Sequence, residues 1–176
     1  MANREALREL QSRLASRLQA ARTEGVQSSW LAVEAGGNRY LFPLTQSGEI
    51  FPYTATQSVP YTQAWFLGVA NLRGGLFGVI DLGGYVAGQA PAQRSDASRA
   101  ESRLVALNTL LEINCALLVD RLAGLRSLEA FSTSTAPPAG SPGYFGSGYT
   151  DANGAYWQEI NLQALSQQPQ FLSISA

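Results

Sequence analysis

Asp81 and Asp120 carry the sharpest chemistry that this sequence offers. Asp81 follows Gly78-Val79-Ile80 and Asp120 follows Leu117-Leu118-Val119, so an apolar run ends in aspartate once in each half of the chain. Two-lobed β proteins that join such carboxylates share a proton between them and activate water. Proteases of that kind carry Asp-Thr-Gly or Asp-Ser-Gly, whereas the contexts here are Asp81-Leu82-Gly83 and Asp120-Arg121-Leu122. Without the neighbouring hydroxyl nothing orients the pair. The plainer reading is that each aspartate closes a strand by accepting turn amide hydrogens. A two-lobed aspartic hydrolase using Asp81 and Asp120 stands as the alternative function.

Other chemistries fall away by residue type. The chain has no histidine, which removes histidine-based hydrolysis and histidine-ligated zinc. Its one cysteine, Cys115, lies inside the apolar run Ile113 to Val119 and reads as an inert buried thiol. With no lysine there is no phosphate loop, and no Gly-x-Gly-x-x-Gly opens a helix after a strand. A net charge of −1 and a pI near 5.4 leave no electrostatic footprint for nucleic acid or an anionic membrane. Trp30, Phe42 and Phe66 fall in alternating or continuous apolar runs and read as core, not as base-stacking platforms. No apolar stretch has the length of a membrane span, so a soluble cytoplasmic protein is expected.

What remains is a pair of isolated charges in the most apolar part of the chain, Glu49 and Arg73. Arg73 sits in Asn71-Leu72-Arg73-Gly74-Gly75, between the β-type runs Phe66 to Ala70 and Leu76 to Leu82. Gly74 and Gly75 are expected to supply the positive-φ freedom of a hairpin turn. If facing strands bring Glu49 to Arg73, each neutralises the other, and such a pair is weak evidence for stability alone.

These residues must be positioned by a largely β chain. Residues Ala2 to about Arg22 read as a helix with Leu7, Leu10, Leu14, Leu18 and Ala21 on one stripe and Gly25 as a stop. That stripe is too narrow to be stable alone in water, so the helix packs on its own domain, on a partner or on a second copy. From Ser29 the texture turns to strands: Trp30 to Val33, a turn at Gly36-Gly37-Asn38, and the return Arg39 to Phe42. Gly83-Gly84 breaks the strand that ends at Leu82. Further strands are expected at Ser102 to Leu107, Ile113 to Asp120 and Leu122 to Leu128. A loop is expected over Ser132 to Gly148, then a hairpin around Asp151-Ala152-Asn153-Gly154. Asn161 caps a short helix that Pro169 stops, and Phe171 to Ile174 reads as an edge strand.

The order Gly68-Val69-x-Asn71-Leu72-Arg73-Gly74, followed by Val79-Ile80-Asp81-Leu82, resembles the signature of the CheW-like domain. Tyr40 in the first hairpin, Glu49-Ile50 in the next strand and Val119-Asp120 agree with it, and the resemblance covers Trp30 to about Ile174. It implies a mainly β fold of two small SH3-like β-barrels packed together, with an N-terminal amphipathic helix and a short C-terminal helix. The helix takes residues 1–25 and the domain 26–176, with a first barrel at about 29–88 and a second at about 100–160. It further implies a non-enzymatic adaptor joining a methyl-accepting chemoreceptor tip to the regulatory domain of a CheA-type histidine kinase. That role places it in the cytoplasm at membrane receptor arrays, with self-association open. The partner-binding residues it implies are Arg73, Asn71, Leu72, Gly74, Glu49, Ile50 and Ser47. No catalytic residue, cofactor, metal, nucleic acid or membrane insertion is expected. The leucine-striped extension and the wording Gly48-Glu49-Ile50-Phe51-Pro52 are similar to family members that control type IV pilus twitching. Two positions depart from the family: Ser47 stands two places before Glu49 where a branched apolar residue is common, and Gly83 follows Asp81-Leu82 where arginine is common.

Overall fold

The computed structural model describes the backbone of residues 2–27 and 29–176, and the side chains of residues 4–17 and 29–176. Helix α1 (Ala2–Gln27) runs straight through Gly25, which therefore does not stop it. Its length is about 39 Å at the usual rise. Leu7, Leu10 and Leu14 are each more than half exposed, while the side chains of Leu18 and Ala21 lie outside the described residues. Glu9 and Arg13, one turn apart, form a 2.8 Å ion pair.

Among the described residues, eleven strands form two mixed sheets. Sheet A has the order β8 (Arg121–Ser127), β1 (Ser29–Ala35), β2 (Asn38–Pro43), β11 (Tyr156–Ile160), β10 (Phe145–Asp151), β9 (Phe131–Thr135). Sheet B has the order β3 (Ser47–Pro52), β6 (Arg103–Leu107), β7 (Cys115–Val119), β5 (Gly75–Asp81), β4 (Phe66–Leu72). The sheets therefore interleave along the chain, and the barrel limits expected at 29–88 and 100–160 do not match them. Sheet B is built from one internal block, β3 to β7, and sheet A from the β1–β2 hairpin plus everything after Asp120. The physical reason is burial. Strand β1 is covered along nearly its whole length, so its free edge needs a partner, and β8 supplies it from the far end of the chain. Two parallel contacts complete the weave, β2 with β11 and β5 with β7.

Alternation explains how two rolled sheets share one core. In β1, Leu31 and Val33 point at sheet B, while Trp30 and Ala32 point into the roll of sheet A with Leu41 and Trp157. In β7, Cys115, Leu117 and Val119 join the central core, while Ala116 and Leu118 face Leu72, Val79 and Leu104 inside sheet B. Both strands are buried on both faces, which is why each reads as a continuous apolar run. Burying each such leucine or valine stabilises by about 1.5–3 kcal/mol. Sheet B closes on itself after β3, where Gln57 and Val69 exchange backbone hydrogen bonds of 2.8 and 2.9 Å. In sheet A the rings of Trp30 and Phe131, from non-adjacent strands, meet edge-on at 5.8 Å.

Short helices sit at the joints. Asp81 caps α2 (Leu82–Ala87), so Gly83 and Gly84 turn the strand into a helix rather than into a loop. Helix α3 (Asp96–Glu101) precedes β6. The loop expected over Ser132 to Gly148 is shorter, because β9 and the start of β10 lie within that range. Asn161 caps α4 (Leu162–Ser166) as expected. The edge strand expected at Phe171 to Ile174 is instead α5 (Pro169–Leu172), with Pro169 at its first position. There proline begins a helix at no cost, since the amide it lacks would have had no partner.

Candidate functional site

The seven residues named from the sequence gather at one end of sheet B. Its two outermost strands, β3 and β4, carry the parts. In β3 the register with β6 shifts between Ser47 and Ile50, a β-bulge that re-aims the side chains around it. Gly48 lies so close to β6 that a Cβ would sit 2.8 Å from the carbonyl oxygen of Leu107. Only glycine fits there, and the bulge delivers Glu49 to the seam between the strands. Ser47 is half-buried, and its hydroxyl donates to the carbonyl of Pro43 at 3.0 Å.

On the other side, Leu72 pairs with Gly75, which leaves Arg73-Gly74 as a two-residue turn. Their φ angles are 51° and 80°, so both residues are left-handed, as a type I′ hairpin requires. The expectation that Gly74 and Gly75 supply the positive φ is thus half wrong: Arg73 takes the first position. Gly75 has a different reason to lack a side chain, because a Cβ there would press on the Phe77 ring at 3.0 Å. The Asn71 side-chain oxygen accepts the amide hydrogen of Gly74 at 3.0 Å and holds the turn. Leu72 is buried below it.

The guanidinium Nη2 of Arg73 lies 2.9 Å from Oε1 of Glu49, and the two side chains are 77% and 43% exposed. A pair that open to water is worth about 0–1 kcal/mol. An arginine in the left-handed region costs about 1–2 kcal/mol. The turn is therefore no more stable for carrying this residue, a sign that the side chain is held for another use. Beneath the pair lies a cavity of about 350 Å³ lined by Phe51, Leu72, Phe77 and Ile113, with Asn108 and Asn114 at its side. Ile50 and Leu76 expose apolar surface on the neighbouring strands. Leu76, Phe51 and Phe77 join the residues expected at this site. The signal for Leu76 was its place directly opposite Asn71 across the hairpin.

Asp81 and Asp120 do come together, but on a cation. Nη2 of Arg94 is 2.6 Å from Oδ2 of Asp81 and 2.8 Å from Oδ1 of Asp120. The remaining oxygens accept backbone amides, Gly84 at 2.7 Å for Asp81 and Gly36 at 2.9 Å for Asp120. All four carboxylate oxygens thus have a donor from the protein, and the two carboxylates face one guanidinium rather than each other. Arg94 escaped notice because it lies in a polar loop with no periodicity. The cluster ties the ends of β5 and β7 to the β1–β2 turn, where Gly36 and Gly83 are packed backbone to backbone. Among the described residues no group of three or more acidic or cysteine side chains is placed to hold a metal, and no helix is long and apolar enough to cross a membrane.

This architecture is that of a known family. Residues 29–170 match the CheW-like domain, and the chain belongs to that family. Protein PilI of Pseudomonas aeruginosa is 28% identical over 120 residues, a match that spans 66% of this chain and 64% of PilI. That is less than two thirds of PilI's own length. The crystal structure of the scaffolding protein TtCheW from Thermoanaerobacter tengcongensis superposes with a TM-score of 0.64 at 17% identity, covering 81% of this chain and 94% of that one. The likeness to TtCheW is one of fold.

Proposed function

We propose that this protein is a non-enzymatic adaptor that couples chemoreceptors to a CheA-type histidine kinase, acting in the control of type IV pilus twitching. The observation that carries the reading is Arg73: a strained, largely exposed cation at a sheet seam, above an apolar cavity and beside exposed Ile50 and Leu76. Its forked donors suit a partner carboxylate or carbonyl, and the cavity suits an apolar anchor beside it. Asn71 and Gly74 set the turn, Leu72 fastens it to the core, and Glu49 holds the guanidinium upright. Ile50 and Ser47 border the same strand. Family membership and the likeness to PilI support coupling and twitching respectively. The protein works in the cytoplasm, recruited to receptor arrays at the membrane. The exposed leucines of α1 give it a second surface, for a partner or for a second copy. Reconstitution tests the reading: kinase, receptor signalling fragment and this protein are mixed, and autophosphorylation is followed. Receptor control of the kinase that appears only when the protein is present is expected. Control that is equal without it removes the adaptor role.

A further inference from the structure

Residues 50–72 and 160–176 contain no charged side chain, in a chain that is 14% charged. The fold laces these two segments together. Thr62 bridges Ser175, the amide of Gln63 donates to the carbonyl of Ile174 at 2.7 Å, and the amide of Ala176 donates to that of Tyr61 at 3.0 Å. Leaving aside Ile50 and Asn71, which belong to the Glu49–Arg73 seam, the segments expose about eighteen residues, close to the number that one partner brings to an interface of standard size. Interface cores are depleted of charge and enriched in tyrosine.

The tip of this surface is a turn, Val59-Pro60-Tyr61-Thr62. Tyr61 has a φ of 59°, a conformation that a bulky aromatic residue rarely adopts. Its residue surface is 90% exposed, so its ring buries almost nothing within its own chain. Val59 and Leu172 are exposed on the same two segments. Two residues from Tyr61, a cavity of about 350 Å³ opens beside Trp65 and Tyr85, whose rings meet edge-on at 4.9 Å. Its walls carry the amides of Gln63, Gln89 and Gln170, and no charged residue lines it. Such a socket suits a phenol, with aromatic side chains in its wall for the ring and glutamine amides for the hydroxyl.

We infer that Tyr61 of one copy occupies this socket in a second copy, and the reverse, in a two-fold symmetric dimer. An isologous contact needs both halves of the lock on one face, and Tyr61 and Gln63 satisfy that by adjacency. The surface is self-compatible in its side chains, since pairing it with itself sets no like-charged side chains together. The Glu49–Arg73 seam is not part of it, so the dimer does not rest on the adaptor reading.

Sedimentation velocity on the full chain, from micromolar to sub-millimolar concentration, tests this. A reversible monomer–dimer equilibrium is expected for the wild type. Tyr61→Asn removes the knob and suits the left-handed turn, so its Tm should hold or rise while dimerisation weakens at least about tenfold. Gln170→Trp fills the socket and should weaken dimerisation likewise. Mixing the two variants should restore association above that of either alone, because one knob and one socket stay intact across the pair. Leu125→Glu on the exposed face of β8 should leave the dimer unchanged. A wild type that is monomeric throughout would overturn the inference. So would a dimer that Tyr61→Asn and Gln170→Trp leave intact, one that Leu125→Glu abolishes, or a mixture with no gain.

Discussion

Glu49 lies on one outermost strand of a five-stranded sheet and Arg73 in the turn that follows the other, and yet they meet at 2.9 Å. The sheet curls until its edges face each other, and the ion pair spans the gap above the rings of Phe51 and Phe77, whose centroids are 6.4 Å apart. Stability gains little from it. Glu49→Gln should shift the unfolding free energy by less than about 1 kcal/mol. Arg73→Gly should leave stability unchanged or raise it, because relief of the left-handed strain offsets the lost pair. Thermal and urea unfolding of the two variants measure this. A loss above about 3 kcal/mol in either would mark the pair as a structural clamp.

The aspartate pair behaves in the opposite way. Asp81 is 2% exposed and satisfies both Arg94 and the first turn of α2. Asp81→Ala should cost about 3–5 kcal/mol, since it leaves a largely buried guanidinium short of a partner. Asp120→Ala should cost clearly less, because that side chain is 42% exposed. The double substitution should cost less than the sum, the sign of a shared partner. Urea denaturation of the three variants measures the costs, and strict additivity would contradict the clamp.

Alkaline pH should loosen the joint between the sheets. Burial, helped by the neighbouring phenols of Tyr85 and Tyr40, pushes Tyr144 from 10.0 up to about 12. A raised phenol favours the neutral, folded form, so its contribution is complete below pH 10.0 and is lost as pH climbs toward about 12. Stability should therefore fall across that window, and Tyr144→Phe should flatten the fall. Tyrosinate absorbance recorded alongside circular dichroism follows both events. An identical fall in Tyr144→Phe would assign it to other groups.

Limited proteolysis should begin between residues 136 and 143, a stretch of Pro, Gly, Ser and Ala with little secondary structure. Residues 132–135 should resist, because β9 is hydrogen-bonded to β10. Mass spectrometry of the first fragments locates the cut. First cleavage within β6 or β7 would contradict the burial described for sheet B.

Much of this was legible because the signals were local. The hairpin around Arg73, the Asn161 cap and the two-faced burial of β7 follow from neighbours in sequence. The interleaving of the sheets did not, since β1 with β8 and β5 with β7 join residues far apart along the chain, and no periodicity names a distant partner. Within the site, the meeting of Glu49 with Arg73 was an open condition in the sequence and is met in the fold. Arg94 was invisible, because a cation in a polar loop looks like any other until two carboxylates close on it. Arg73 as a left-handed residue was equally hidden: Gly74 and Gly75 both offered the conformation, and strand register chose between the alternatives.

The central claim is that Arg73 serves a partner and not its own fold. The most direct measurement is isothermal titration of a kinase regulatory fragment and a receptor signalling fragment into the wild type, Arg73→Ala and Arg73→Lys, with Tm taken on the same samples. Arg73→Ala is expected to weaken at least one partner by tenfold or more, about 1.4 kcal/mol, with little change in Tm. Arg73→Lys should fall between, because it keeps the charge and loses the fork. Unchanged affinity for both fragments together with a large drop in Tm would contradict it.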